Sequence, residues 1–155
     1  MQTDEVEATR TRIRALQEKW HQPLGLLWWT VHHVYWDDRR DYAEHSAKHE
    51  TTATANYEES TAHTTVSWPY MEATIHWNLP LCAQVDDAEL EKVFVHECMH
   101  VHLHEMRAIT TCECPYDLRH EERVAVSLQK VIQWVYEAGV DAGKACKPPQ
   151  HGDVY

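Results

Sequence analysis

Apolar residues recur at helical spacing near the start of the chain. Over Thr3–Trp20 they stand at Val6, Ile13, Leu16 and Trp20. Charged residues lie between them, and the stretch contains no glycine or proline, so it is typical of an amphipathic helix with one stripe facing the rest of the protein. Pro23 predicts the end of this helix, because proline disfavours helix in the residue before it.

The pattern changes to that of strands after this helix. Residues 26–36 are dense in Trp, Val, Tyr and Thr, which favours a strand, and the polar run 37–41 predicts a turn that closes it. Two threonine-rich and aromatic stretches, residues 51–58 and 64–77, predict two more strands. Together these segments predict an antiparallel sheet of about three strands.

Two long helices are predicted in the second half of the chain. Asp86 and Asp87 supply an acidic start to the first, which is apolar on nearly every side. A loop over residues 110–117 precedes the second, predicted over residues 119–138 and stopped by Gly139. Its predicted core-facing stripe is Val124, Leu128, Val131, Ile132 and Val135. The whole chain, 1–155, is predicted to be one α+β domain with a flexible tail at 144–155.

Composition narrows the classes of partner. A net charge of −11 disfavours nucleic acid, whose phosphates attract basic proteins. No apolar run approaches the ~20 residues needed to span a bilayer, and the acidic N-terminus does not resemble a signal peptide. We therefore expect a soluble, cytoplasmic protein. Its five cysteines, an odd number without framework spacing, are expected to be reduced thiols.

The chemistry of the chain is concentrated at His96, Glu97 and His100, which form an H-E-x-x-H element. On a helix, residues four apart share a face, so both imidazoles can bind one ion. Glu97 falls roughly 100° around the helix, where it can reach a water molecule without being a ligand. Polar groups in such an apolar segment are costly unless something coordinates them, which disfavours a surface helix with exposed histidines. The element predicts one catalytic Zn²⁺ with Glu97 as general base.

A catalytic zinc generally has three protein ligands, so a third must come from elsewhere. His104 lies about 12 Å along the helix from His96, too far for both to bind one ion, and His102 points to another side. Glu121 falls inside the predicted core-facing stripe of the last helix, whereas Glu122 lies on its flank. A buried carboxylate is costly when unpaired, which favours Glu121 as ligand over a simple first-turn residue. The choice between Glu121 and Glu122 stays open.

Weaker candidates lie just before the last helix. Tyr116 and His120 could face the cleft and donate a hydrogen bond to an oxyanion. Cys112 and Cys114 are close together, but a C-x-C pair without another ligand pair is weak evidence for a second metal site. We therefore expect them to be ordinary loop cysteines.

Two segments carry a resemblance to a known family. HECMH at 96–100, with a glutamate on a following helix, resembles the gluzincin-type zinc peptidases. More closely, HECMHVHLHEMR and HEERVAVSLQKVIQWV resemble segments of small metallopeptidase-like proteins encoded by phages and prophages. The resemblance covers most of residues 26–138 and is specific only in these segments. It implies a zincin-like core of an N-terminal helix, about three mostly antiparallel strands, the H-E-x-x-H helix and a Glu-bearing helix.

The resemblance also implies roles for individual residues. His96, His100 and Glu121 would be zinc ligands, and Glu97 the general base of peptide hydrolysis. The strand before the metal helix, residues 74–77, would pair through a free edge with an extended peptide or protein substrate. Two alternatives stand beside this peptidase: a non-catalytic zinc-binding interaction protein, and a nucleic-acid-associated protease of the SprT-like type, which the acidic composition disfavours.

Overall fold

The computed structural model describes residues 3–49, 59–109 and 115–145, which form five helices and three strands. In chain order these are α1 (Thr3–Trp20), β1 (Thr30–Trp36), α2 (Arg39–His49), β2 (Ala62–Ser67), β3 (Glu72–Asn78), α3 (Leu79–Cys82), α4 (Asp87–Ile109) and α5 (Pro115–Ala145). Short 3-10 turns at Leu26–Trp28 and Trp68–Tyr70 precede β1 and β3. The α+β class predicted from the sequence is confirmed.

The sheet is mixed, and its order is β1-β3-β2. β3 runs parallel to β1, with Thr30 opposite Glu72, and antiparallel to β2, with Ser67 opposite Glu72. The predicted single strand over residues 64–77 is therefore a hairpin, which turns at Met71 with a positive φ of 52°. The prediction for residues 51–58 lies outside the described residues.

Two sequence predictions about this sheet are wrong. It is not mostly antiparallel, because the chain passes through α2 and β2 before β3 returns beside β1 in the same direction. Residues 74–77 do not form a free edge, because β3 is the central strand and both its sides are hydrogen-bonded to neighbours. Such a strand has no open backbone groups for an added peptide.

The polar run 37–41 starts a helix rather than forming a turn. The Asp38 carboxylate accepts hydrogen bonds from the backbone N–H groups of Arg40 at 2.7 Å and Asp41 at 3.4 Å. Asp38 is thus the N-cap of α2, and these hydrogen bonds lower its pKa. Aspartate is common both in turns and at helix N-caps, so the polar run alone did not distinguish a turn from the start of a helix.

α5 differs from its prediction in length and in orientation. It runs from Pro115 through Gly139 to Ala145, so the predicted stop and the first residues of the predicted tail are helical. Residues 146–155 lie outside the described chain. The predicted core-facing stripe is wrong at Leu128, Val131 and Val135, which are exposed. The side turned to the core instead carries Glu121, Ala125, Gln129, Ile132 and Tyr136.

The core lies between the sheet, α1 and α4. Its largest fully buried side chains include Trp20 of α1, Trp77 of β3 and Phe94 of α4. Arg12 fixes α1 to the start of α4, since its guanidinium donates to the Asp87 carboxylate at 2.6 Å and to the Val85 carbonyl at 2.8 Å. These contacts position the helix that carries the H-E-x-x-H element.

The described residues include two of the five cysteines. Cys82 and Cys98 are free and buried, and burial raises the pKa of the Cys82 thiol to about 12. Cys112, Cys114 and Cys146 lie outside the described residues. No helix within the described ranges is long and apolar enough to cross a bilayer.

His33 is a partly buried ring that packs on aromatic side chains of the core. Its ring stacks on Trp77 and Phe94, with interplanar angles of 7° and 5°. Its Nδ1 accepts a hydrogen bond from the Trp77 indole N–H at 3.0 Å, so the proton of the neutral ring is on Nε2, 3.3 Å from His21 Nε2. Burial, with smaller effects of His21 and His32, lowers the pKa of His33 to about 3.

This lowered pKa predicts a loss of stability in acid. The unfolded chain takes up a proton at His33 below pH of about 6.5, whereas the folded protein resists it down to about 3. The free energy of unfolding should therefore fall as the pH falls from 6.5 toward 3. We expect His33 to account for about 1–2 kcal/mol of the difference in unfolding free energy between pH 7.5 and pH 5.

Urea unfolding at the two pH values, with a chelator present, measures this effect. The pH difference in unfolding free energy should shrink in His33→Gln and remain in His32→Gln, since His32 is the exposed neighbour. An unchanged pH dependence in His33→Gln contradicts the assignment.

Candidate metal centre

α4 is held as a buried helix along most of its length. Asp86 caps it by accepting the Glu89 backbone N–H at 2.8 Å. Leu90, Phe94, Val95, Cys98 and Val101 are fully buried in the core. The remaining face of α4 packs against β2 and α5, and it carries His96, Glu97 and His100. The element therefore faces two neighbouring segments that can supply further polar groups.

Three side chains of α4 and α5 converge on one point. His96 Nε2 and His100 Nε2 are 3.1 Å apart. Glu122 Oε2 lies 3.3 Å from the His96 nitrogen, and Glu122 Oε1 lies 3.3 Å from the His100 nitrogen. Among the described residues these ligand atoms form the group within 4.8 Å of one another that could hold a metal ion. Two imidazoles and a carboxylate are a common ligand set of catalytic zinc.

The spacing of these atoms fits a zinc ion. Zinc binds histidine nitrogen and carboxylate oxygen at about 2.0–2.2 Å in tetrahedral geometry, which separates neighbouring ligand atoms by about 3.3 Å. The separations of 3.1 and 3.3 Å between the nitrogens and oxygens are close to that value. The group could therefore hold a metal ion.

Glu121 lies on the far side of His100. Its Oε1 is 2.9 Å from His100 Nδ1, and its side chain is 12% exposed against 59% for Glu122. Glu121 is therefore only partly exposed, and its geometry differs from its assignment as third ligand. Glu122 reaches the ligand nitrogens, while Glu121 accepts the Nδ1 proton of His100 and leaves Nε2 available.

The carboxylates make the cluster attractive to positive charge. Burial alone would lower the pKa of His100, but hydrogen bonds with Glu121 and Glu122 raise it to about 10. The same contacts with His100 and His96 hold the pKa of Glu122 well below its usual range. A second proton on His100, at Nε2, would therefore compete with a metal ion for that nitrogen and for the Glu122 carboxylate.

Glu97 lies beside the cluster and is not one of its converging groups. Its side chain is 6% exposed, and its Oε2 accepts a hydrogen bond from the Thr64 hydroxyl at 2.7 Å. Thr64 stands on β2, so the strand fixes the direction of this carboxylate. Sequence reasoning missed Thr64, because nothing in the strand pattern shows which threonine faces α4.

A cavity of about 340 Å³ adjoins the cluster. Glu97 and His96 line it from α4, Ala62 from β2, and Gln129 from α5. Gln129 was also missed, although it follows Glu121 by eight residues on the same side of α5 and is 8% exposed. Glu97 therefore borders open space beside the cluster.

The other candidate residues lie away from the cluster or outside the description. His102 is 2.8 Å from the Leu24 carbonyl, on another side of α4 as predicted, and His104 is not part of the cluster. The side chains of Tyr116 and His120 lie outside the described residues. His63 and His76 are buried and hydrogen-bonded elsewhere in the structure.

Comparison with known proteins adds no relative. No protein-family model matches the chain, and no match is found among curated proteins or solved structures. The resemblance to gluzincin-type peptidases therefore stays a prediction. What defines the chain's class is its α+β fold and a possible metal-binding group of two histidines and a glutamate.

The geometry predicts different effects for the two glutamates. Glu122→Gln removes a ligand and should lower zinc affinity by more than about 100-fold, whereas Glu121→Gln loosens only the orientation of His100 and should lower it about 10–100-fold. Competition with a chromophoric chelator measures both constants. Glu137→Gln, on an exposed part of α5, is the matched control. A larger loss in Glu121→Gln would identify Glu121 as the ligand instead.

Proposed function

We propose that the protein is a small zinc-dependent metallopeptidase with a zincin-like core. The observation that carries this proposal is the convergence of His96 Nε2, His100 Nε2 and the Glu122 carboxylate beside Glu97 and its cavity. When bound there, zinc would supply a Lewis acid that polarises a carbonyl and lowers the pKa of water toward 7.

Each side chain has a distinct task in this proposal. His96, His100 and Glu122 hold the ion, and Glu121 keeps the His100 proton on Nδ1 so that Nε2 stays a ligand. Glu97 takes the proton of the attacking water and passes it to the departing amine. Thr64 holds the Glu97 carboxylate in one orientation, which reduces the rearrangement needed at each proton transfer.

β2 is the strand best placed to bind an extended peptide. Within the described sheet it is the outer strand on the side of the cluster, since its partner β3 lies between it and β1. Ala62 of β2 lines the same cavity as His96 and Glu97. A peptide added along this edge would pass Glu97. The proposed pairing strand is therefore Ala62–Ser67 instead of residues 74–77.

The alternative functions have less support from the site. A structural zinc is usually enclosed by four protein ligands, whereas three groups converge in the part of the chain described. The net charge of −11 continues to disfavour a nucleic-acid-associated protease. An origin in a phage is implied only by the resemblance and stays a prediction.

Glu97→Gln tests the proposed mechanism. Because Gln cannot accept the proton, we expect peptide cleavage to fall by about 10²–10⁴-fold while zinc affinity changes little. Mass-spectrometric analysis of a peptide library incubated with each protein measures cleavage, and a chelator control shows its dependence on metal. Cleavage at the wild-type rate by Glu97→Gln contradicts the mechanism, and a wild type without any chelator-sensitive cleavage contradicts the function.

Thr64 should affect turnover more than substrate or zinc binding. Removing a hydrogen bond to a charged group costs about 1.5–3 kcal/mol, so Thr64→Val is expected to lower kcat about tenfold or more, with KM and zinc affinity nearly unchanged. Thr64→Ser keeps the hydroxyl and should restore most of kcat. Equal loss in both variants would show that the methyl group, rather than the hydroxyl, supports Glu97.

A further inference from the structure

The cavity beside the metal cluster extends toward the start of α4 and the middle of α5. Lys92 and His96 line it from α4, and Lys130 lines it from α5. Lys92 precedes His96 by one helical turn, about 6 Å along α4, and Lys130 follows Glu122 by about 12 Å along α5. Two lysine side chains therefore border the part of the cavity that lies away from the cluster.

The charges around this cavity differ in whether a partner already meets them. The charged lining side chains are Glu89, Glu97, Lys92 and Lys130. Glu89 accepts a hydrogen bond from the Lys92 ammonium at 2.9 Å, and Glu97, at the end beside the cluster, accepts the Thr64 hydroxyl at 2.7 Å. Lys130 forms no ion pair with another residue in the described part of the chain. The lysine end of the cavity therefore has one positive charge without a counter-charge.

Lys92 can serve a second acceptor as well. An ammonium group has three N–H donors, and Lys92 uses one of them for Glu89. Both lysine side chains are long and flexible, so donors from two helices can reach one group in the cavity between them. The net charge of the chain is −11, so it does not attract an anion to this region. An anion would bind here through these local contacts.

We propose that Lys92 and Lys130 bind a carboxylate of the peptide substrate. This inference rests on the proposed peptidase function and names the class of substrate, a peptide with an acidic side chain or its own C-terminal carboxylate near the bond that is cut. One ammonium without a counter-charge matches the single charge of a carboxylate.

The length of the cavity lining sets the position of this carboxylate. An extended peptide advances about 3.3 Å per residue. The separations of about 6 and 12 Å along the helices therefore place the acidic group about two to four residues from the bond at the metal cluster. Residues 60–62, at the start of the proposed pairing strand, line the same part of the cavity. A peptide on this edge would thus pass the two lysines.

Peptide binding to zinc-loaded Glu97→Gln measures the preference without hydrolysis. The probes are fluorescent neutral peptides with a single Glu or Gln at successive positions, each with a free or an amidated C-terminus. Either Gln at one position or amidation should weaken binding about 5–20-fold, as expected for two exposed ion pairs acting together. The change that does so identifies the source of the carboxylate. Equal binding of all peptides, or binding of none, overturns the proposal.

Charge reversal at Lys130 assigns the preference to this cavity. Lys130→Glu should abolish or invert the preference for the acidic peptide, and Lys130→Gln should reduce it. Arg39→Glu is the matched control, because it changes the net charge equally at an exposed position of α2 outside the cavity lining. Circular dichroism and zinc titration establish that each variant is folded and loaded. An unchanged preference in Lys130→Glu, or an equal loss in Arg39→Glu, overturns the assignment.

The carboxylate site and the peptidase function can fail separately. Selective binding of acidic peptides, without chelator-sensitive cleavage by the wild type, overturns the peptidase and supports the lysines as a carboxylate-binding site. Chelator-sensitive cleavage by the wild type, without any preference for an acidic group, overturns the carboxylate site and supports the peptidase.

Discussion

The burial of α4 is the constraint on which the rest of the structure depends. A helix whose Phe94, Val95 and Cys98 are fully buried can carry ionisable side chains only where neighbouring segments satisfy them. β2 supplies the Thr64 hydroxyl to Glu97, and α5 supplies two carboxylates to His100. In the sheet order β1-β3-β2, β2 is the strand that contacts α4. The polar side chains of α4 can therefore lie within an otherwise apolar helix because β2 and α5 supply their hydrogen-bond partners.

Histidine has two different uses in this chain, and its surroundings separate them. His33 stacks between aromatic rings, and His63 stacks on His76 with centroids 4.5 Å apart and an angle of 7°. Without a carboxylate partner, the partly buried His33 is kept neutral. The His100 side chain is also mostly enclosed, but its contacts with carboxylates favour a positive charge on the ring. The presence of acidic neighbours, rather than depth alone, decides whether a histidine is core packing or part of an ion-binding group.

Local features of the sequence predicted local features of the structure. Ile13, Leu16 and Trp20 are buried on α1 as their spacing indicated, and His96 and His100 share a face because both lie on one helix. The failures concern relations between elements. A helical wheel placed Glu121 on the inner side of α5 correctly. It gives no distances between α5 and α4, so it could not show that Glu122 reaches the Nε2 atoms of His96 and His100. The same wheel found the most apolar side of α5 and assigned it to the core, although Leu128 and Val131 face solvent. Which of two sides packs inward is decided by the neighbours, and these are set by the sheet order.

The division of the ligand atoms between two helices makes the cluster a cross-link. His96 and His100 belong to α4, whereas Glu122 belongs to α5, across a segment that includes residues 110–114. An ion held by all three would close a loop of about twenty residues, and closing such a loop lowers the entropy of the undocked chain. Metal affinity would then report on the docking of α5 as well as on the donor atoms. A substitution far along α5 could change it without touching a ligand, simply by altering how firmly that helix stays in place.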